Sequence, residues 1–207
     1  MNTQKYKDVT SVRNAKKYDL IRFCGVGGAG IKVIEYYFNH SNKGKGLMID
    51  TRSYQGSRIS CCEYLTLGNR NRFSSGAHRL AANGRVAAQE SRSEIIRALK
   101  GVKTVILVAG TGGGTGSGSS VVLADACKEM KIQLFVFLIA PFEFEGDGST
   151  NNSRTCQKNI SVLTNNVYFY SNQDIMLEFD KTATVADAFE YLHLKICLQI
   201  LSCVSSL

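Results

Sequence analysis

The chain has 207 residues, of which 44% are hydrophobic and 20% charged, and its formal net charge is +8. That composition excludes a disordered polymer and fits one α/β domain long enough to bury a core. There is no run of about 18 apolar residues, so no helix of the chain is expected to span a membrane. The basic excess shows no aromatic-interleaved cluster or motif that would point to direct nucleic-acid binding.

Residues 1–17 read as a polar, basic tail without the apolar segment of a secretory signal; basic and nearly free of acids, they leave an organelle transit peptide as a second reading. A strand, Asp19–Cys24, ends at a glycine turn and is followed by a helix over Ile31–Asn39. After the turn Lys43–Gly46 comes a short strand, Leu47–Asp50, so the opening reads as a βαβ unit. A third strand is expected within Arg58–Leu67, then a long glycine- and arginine-rich loop, Gly68–Gly84, and a helix over Arg85–Lys100. Thr104–Ala109 is apolar on both faces, as a central parallel strand should be. The glycine loop 110–118 leads into a helix at about Ser119–Met130, and Leu134–Ala140 is another fully apolar strand. A helix around Ser153–Leu163, a strand at Val167–Tyr170 and a helix from about Val185 to the end complete the pattern. Alternating strands and helices predict α/β architecture, a doubly wound parallel Rossmann-like sheet with ligands at the carboxy ends of its strands.

The seven cysteines are odd in number and show no C-x-x-C spacing. They imply a reducing, cytoplasmic setting rather than a disulfide framework, and no zinc site.

Two glycine loops carry the chemistry. Gly25-Val-Gly-Gly-Ala-Gly30 satisfies G-x-G-x-x-G between a strand and a helix, and Asp50 lies about twenty residues further on. Such a turn lets backbone approach phosphate oxygens at a helix N-terminus. With an acid for a ribose hydroxyl it is also the pattern of a dinucleotide-binding fold, and a merely tight turn is a third reading. The second loop, Gly110 to Gly118, has six glycines in nine residues, with Thr111, Thr115 and Ser117 as hydroxyl donors. No lysine follows it, so it is not a Walker A motif; phosphate charge would be met by backbone N–H groups, helix dipoles and a metal ion.

Gly112-Gly-Gly-Thr-Gly-Ser-Gly118 is similar to the signature of the tubulin/FtsZ superfamily. The flanks extend the resemblance in the same order, closest to FtsZ: Gly25–Gly30, Gly76-Ala77 with Gly84–Glu90, Pro141–Gly146, and Ser171-Asn172-Gln173. The resemblance covers about residue 18 to the end. It implies GTP or GDP as ligand, with Mg2+ bound through the nucleotide and no metal ligand from protein side chains. Gly25, Gly27, Gly28, Ala29, Gly30, Gly112, Gly113, Gly114, Thr115, Gly116 and Ser117 would surround the phosphates, with Gly76 and Ala77 near the γ-phosphate. Glu145 would hydrogen-bond the ribose, or be a solvated loop charge. Asn172 falls in the loop that resembles the family's sixth. Asp187 would accept from guanine, or simply be an acid at a helix N-terminus. Some positions depart from the pattern. Lys32 replaces the usual asparagine, and can meet phosphate or be solvated. Asp50-Thr51-Arg52 replaces Asn-Thr-Asp, Ser149 or Arg154 stands where a basic residue follows Glu145, and no aromatic immediately precedes Asp187.

In the family, acidic residues from a neighbouring subunit position the attacking water. The resemblance therefore implies a GTP-binding domain over residues 18–207, ending at the central helix, with no second domain, no acidic loop and no catalytic residue in this chain. Hydrolysis is expected to be weak or absent alone. Partners would be a second copy or a full-length homologue, and the role would be a filament-forming cytoskeletal GTPase of cell division or positioning. Two alternatives remain: a non-hydrolysing regulator that caps filaments of a homologue, and an NAD-dependent oxidoreductase built on Gly25–Gly30 and Asp50.

Overall fold

A computed structural model of the chain describes residues 15–73, 75–178 and 184–207. Most of the expected basic tail lies outside these residues; its end opens a short helix, α1 (Ala15–Asp19). The body is one six-stranded parallel sheet. In chain order the strands are β1 (Ile21–Val26), β2 (Lys45–Asp50), β3 (Cys62–Thr66), β4 (Thr104–Gly110), β5 (Gln133–Ala140) and β6 (Val167–Ser171). They lie side by side in the order β3-β2-β1-β4-β5-β6. Chain order reverses between β1 and β4, whose register pairs Cys24 with Leu107 and Val26 with Ala109. Such a reversal opens a crevice at the carboxy ends of the strands.

Alternation along the strands assigns two cores. Cys24, Val26, Leu107 and Val136 face one side, covered by α4 (Ala81–Glu90), α5 (Arg92–Ala98), α6 (Gly114–Glu129) and α7 (Asp147–Ser161). Phe23, Ile106, Val108 and Phe137 face the other, under α2 (Gly27–His40), α8 (Asn172–Leu177) and α9 (Val185–Ser205). All seven cysteines are free thiols, five of them buried.

Several boundaries differ from expectation for tertiary reasons. The single helix expected over Arg85–Lys100 begins earlier and is broken at Ser91 (φ −101°, ψ 21°), whose Oγ accepts a 2.8 Å hydrogen bond from the Gly68 amide. The expected loop Gly68–Gly84 contains α3 (Arg70–Phe73), which buries Phe73. α6 starts inside the glycine run rather than at Ser119, because α4 packs on it backbone to backbone. A Cβ on Gly118 would lie 2.1 Å from the Ala81 carbonyl oxygen, and one on Gly84 2.1 Å from that of Gly114. The glycines of the second loop thus serve packing as well as any ligand. α7 begins at Asp147, six residues before the expected helix start at Ser153. α8 was not anticipated; Ser171 caps it by accepting from the Asp174 amide at 3.2 Å.

Candidate functional site

At the carboxy ends of β1 and β4 the two glycine loops meet. Gly27, at φ +69°, turns β1 into α2; its added Cβ would stand 3.0 Å from the Gly116 amide nitrogen. α2 and α6 therefore begin side by side. Neither helix receives a side-chain cap, so first-turn N–H groups are left for an anion and the positive ends of both dipoles converge. Gly28 and Gly113 are exposed with open space around a hypothetical Cβ, unlike their packed neighbours.

These loops wall a cleft of about 340 Å³. Of the residues singled out in the sequence, Gly27, Gly28, Ala29, Asp50, Gly76, Ala77, Gly112, Gly113, Gly114, Thr115, Gly116, Glu145 and Asn172 line it. Gly76 makes its turn at φ +91° and Ala77 is buried. Asp50 Oδ1 accepts from the Thr115 hydroxyl at 3.3 Å and the Arg52 amide at 3.2 Å, tying the second strand to the second glycine loop. Thr115 and Thr51 share a further 2.7 Å hydroxyl contact. Asn172 Oδ1 is buried and has no hydrogen-bond partner among the described residues. Such an orphan acceptor at a cleft wall calls for a donor from a ligand or water.

Five expected residues stand elsewhere. Gly25 is buried within β1, where a Cβ would approach the Gly30 carbonyl to 2.8 Å. Gly30 lets α2 lie on β4, since its Cβ would fall 2.2 Å from the Val108 carbonyl oxygen. Ser117 turns inward, donating to the carbonyls of Gly113 at 2.6 Å and Thr111. Lys32 is exposed on an adjoining groove. Asp187 does not line the cleft: its carboxylate accepts from the Thr184 amide (2.8 Å) and hydroxyl (2.6 Å), closing a capping box at the start of α9. Those two hydrogen bonds hold its pKa below the usual aspartate value. This is the helix-terminus role, one of the two readings its position allowed. The stretch where a base-stacking aromatic would precede Asp187 includes residues 179–183, outside the described residues.

Sequence reasoning did not assign the guanidiniums of the cleft, Arg52 and Arg79, which line it together with His78. Arg79, at φ +59°, reaches over the mouth to donate to Glu145 Oε2 at 3.2 Å and Ser149 Oγ at 2.6 Å. Glu145 also accepts from the Phe142 amide at 3.0 Å through Oε1. The basic group beside Glu145 thus comes from a distant loop; the one signal was the arginine-rich character of Gly68–Gly84. In all, the cleft combines two uncapped helix ends, hydroxyls and two guanidiniums. It is suited to a polyphosphate without a P-loop lysine.

Known proteins resemble this chain in sequence and in fold. The model of the Tubulin/FtsZ family, GTPase domain, matches residues 20–179. The cell division protein FtsZ of Mycoplasmopsis pulmonis is 31% identical over 170 residues, which cover 82% of this chain and 43% of that protein. The chain thus spans less than half the length of that relative. Among solved structures, an empty FtsZ dimer from M. jannaschii superposes with a TM-score of 0.79 at 24% identity, covering 97% of this chain and 56% of that one. CetZ2 from Haloferax volcanii, a GTPgS-bound protofilament, gives 0.77 at 20% identity, covering 90% and 58%. Both likenesses bear on the fold.

Proposed function

This chain belongs to the tubulin/FtsZ family, and on that premise we propose that it binds GTP as an FtsZ-type cytoskeletal protein of cell division or filament-based positioning. The observation that carries the reading is the meeting of two uncapped helix N-termini, those of α2 and α6, at one cleft. Two aligned dipoles and a row of free N–H groups suit a nucleoside polyphosphate.

In this reading Gly28, Ala29 and Gly112–Thr115 hold the phosphates, with Gly76 and Ala77 at the γ-end. Glu145 accepts from the ribose and Asn172 Oδ1 takes a donor from the nucleotide. Asp187 reaches guanine only by leaving its capping box. A Mg2+ ion fits as cargo of the phosphates. Both cleft carboxylates are already engaged, Asp50 by Thr115 and Arg52, Glu145 by Arg79 and the Phe142 amide. Asp50 Oδ2 alone makes no cage, and no cluster of three or more ligating side chains occurs among the described residues. The ion would offset phosphate charge; the residues named here position the nucleotide. Hydrolysis then depends on acidic groups from a neighbouring subunit, a second copy or a longer homologue, to orient water.

Calorimetry on nucleotide-free protein with magnesium, comparing GTP, ATP and NAD, tests the reading. GTP is expected to bind at least about tenfold tighter than ATP, a difference of about 1.4 kcal/mol, and NAD not at all. No GTP binding would overturn it. Turnover measured alone and after mixing with a full-length homologue tests the shared active site; a rate unchanged by mixing would reject that part.

A further inference from the structure

Beside Asp50, at the end of β2, lies a groove whose Lys32, Tyr54, Arg58 and Ile59 take no part in the cleft that GTP would fill. Asp50 stands on the wall between the cleft and this wider groove of about 770 Å³. Gly28, Asp50 and Arg52 line both, so the two spaces adjoin where the phosphate chain would end. We infer that the groove receives a second nucleoside, and that cleft and groove together take a dinucleoside polyphosphate. This rests on the reading of the cleft as a GTP site.

The groove has the parts such a ligand needs. Asp50 uses Oδ1 for Thr115 and Arg52, and Oδ2 has no hydrogen-bond partner among the described residues, leaving it to accept from a ribose hydroxyl. Lys32, Arg52 and Arg58 line the groove, and none of them is ion-paired among the described residues. They offer charge to phosphates that continue past the γ-position. Tyr54 and Ile59 supply apolar lining for a base. The Tyr54 ring packs on Tyr64 with centroids 4.3 Å apart, and its hydroxyl donates to Glu35 at 2.5 Å and to the Ser57 carbonyl at 3.0 Å. That wall is pre-ordered, which lowers the entropy lost on binding. The groove volume falls within the range of roughly 300–1,000 Å³ typical of small-molecule sites.

Calorimetry with three probes tests it: GTP, guanosine 5′-tetraphosphate, and P1,P4-di(guanosine-5′) tetraphosphate. The dinucleoside compound is expected to bind at least about tenfold tighter than guanosine tetraphosphate, which has the same phosphate count without the second nucleoside. In a Tyr54→Ala/Arg58→Ala double variant that advantage should fall to within about twofold while GTP affinity is kept. Equal affinities in the parent protein, or an advantage retained in the variant, would overturn the inference. Failure of GTP to bind the parent protein would instead reject the underlying reading, and is seen before the comparison is made.

Discussion

Arg79 and Glu145, 66 residues apart in the chain, close the mouth of the cleft through a 3.2 Å ion pair. Asn152 braces the same strap, donating to the carbonyls of Arg79 at 2.8 Å and Gly112 at 3.2 Å. The Arg79 side chain is 63% exposed, so the pair is solvent-screened and contributes at most about 1 kcal/mol to folding. Its effect should show in ligand exchange. Arg79→Ala is expected to leave the unfolding free energy measured in urea within about 1 kcal/mol of the parent. Release of a fluorescent GTP analogue should speed up about tenfold, read by stopped flow. Unchanged release would mean that the strap does not retain the nucleotide.

The glycine run separates into two kinds of residue. Gly118→Ala would drive a Cβ to 2.1 Å from the Ala81 carbonyl oxygen, which is backbone and cannot swing away. It should destabilise the fold by about 1–3 kcal/mol, as overpacking does. Gly113→Ala meets nothing within 4 Å, at a φ of −87° that any residue adopts. It should unfold like the parent yet bind GTP at least about tenfold more weakly, because the methyl projects into space a phosphate would use. Equal stability of the two variants in denaturant would refute the division.

Asn172→Ala removes an acceptor that has no partner among the described residues. Thermal unfolding without nucleotide should therefore shift little. GTP affinity should fall by about 1–3 kcal/mol, the cost range of a lost buried hydrogen bond. A large loss of stability without nucleotide would show that Oδ1 has a structural partner instead.

His193 sits between Tyr36 and Phe189, with ring centroids at 5.7 and 6.4 Å. Burial, and secondarily the nearby Lys32 charge, push its pKa down to about 4. The unfolded chain binds this proton at about pH 6.5 and the folded chain only near pH 4, so stability falls as pH drops between those values. Above about pH 6.5 the residue contributes no slope. Allowing for partial exposure, the effect is on the order of 1 kcal/mol. His193→Gln should flatten the stability profile across that window in urea titrations; an unchanged slope would place the titration elsewhere.

Much of the molecule was legible in order along the chain. β4 and β5 are apolar on both faces because helices cover both sides of the sheet, and that leaves a direct mark on residue type. The two glycine loops marked the cleft, because so many glycines between a strand and a helix are not needed in an ordinary turn, although several of them serve packing. Asp50 was singled out by its spacing from the first glycine loop and Asn172 by the resemblance of its loop to the family's sixth; both line the cleft because β2 and β6 are parallel and end on the same side of the sheet.

What the sequence alone determined was the alternation of elements and the position of the glycines. Both are local: they depend on a residue and its near neighbours. Tertiary structure decided which glycines face the open cleft and which are consumed by the α4–α6 contact, since that depends on a helix about 30 residues away. It also decided the break at Ser91, made where a distant amide needed an acceptor, and the arrival of Arg79 beside Glu145. Asp187 shows the same limit in reverse: an acid near a helix start suits a guanine ligand and a capping box equally in sequence, and its capping contacts with Thr184 appear only in the folded structure.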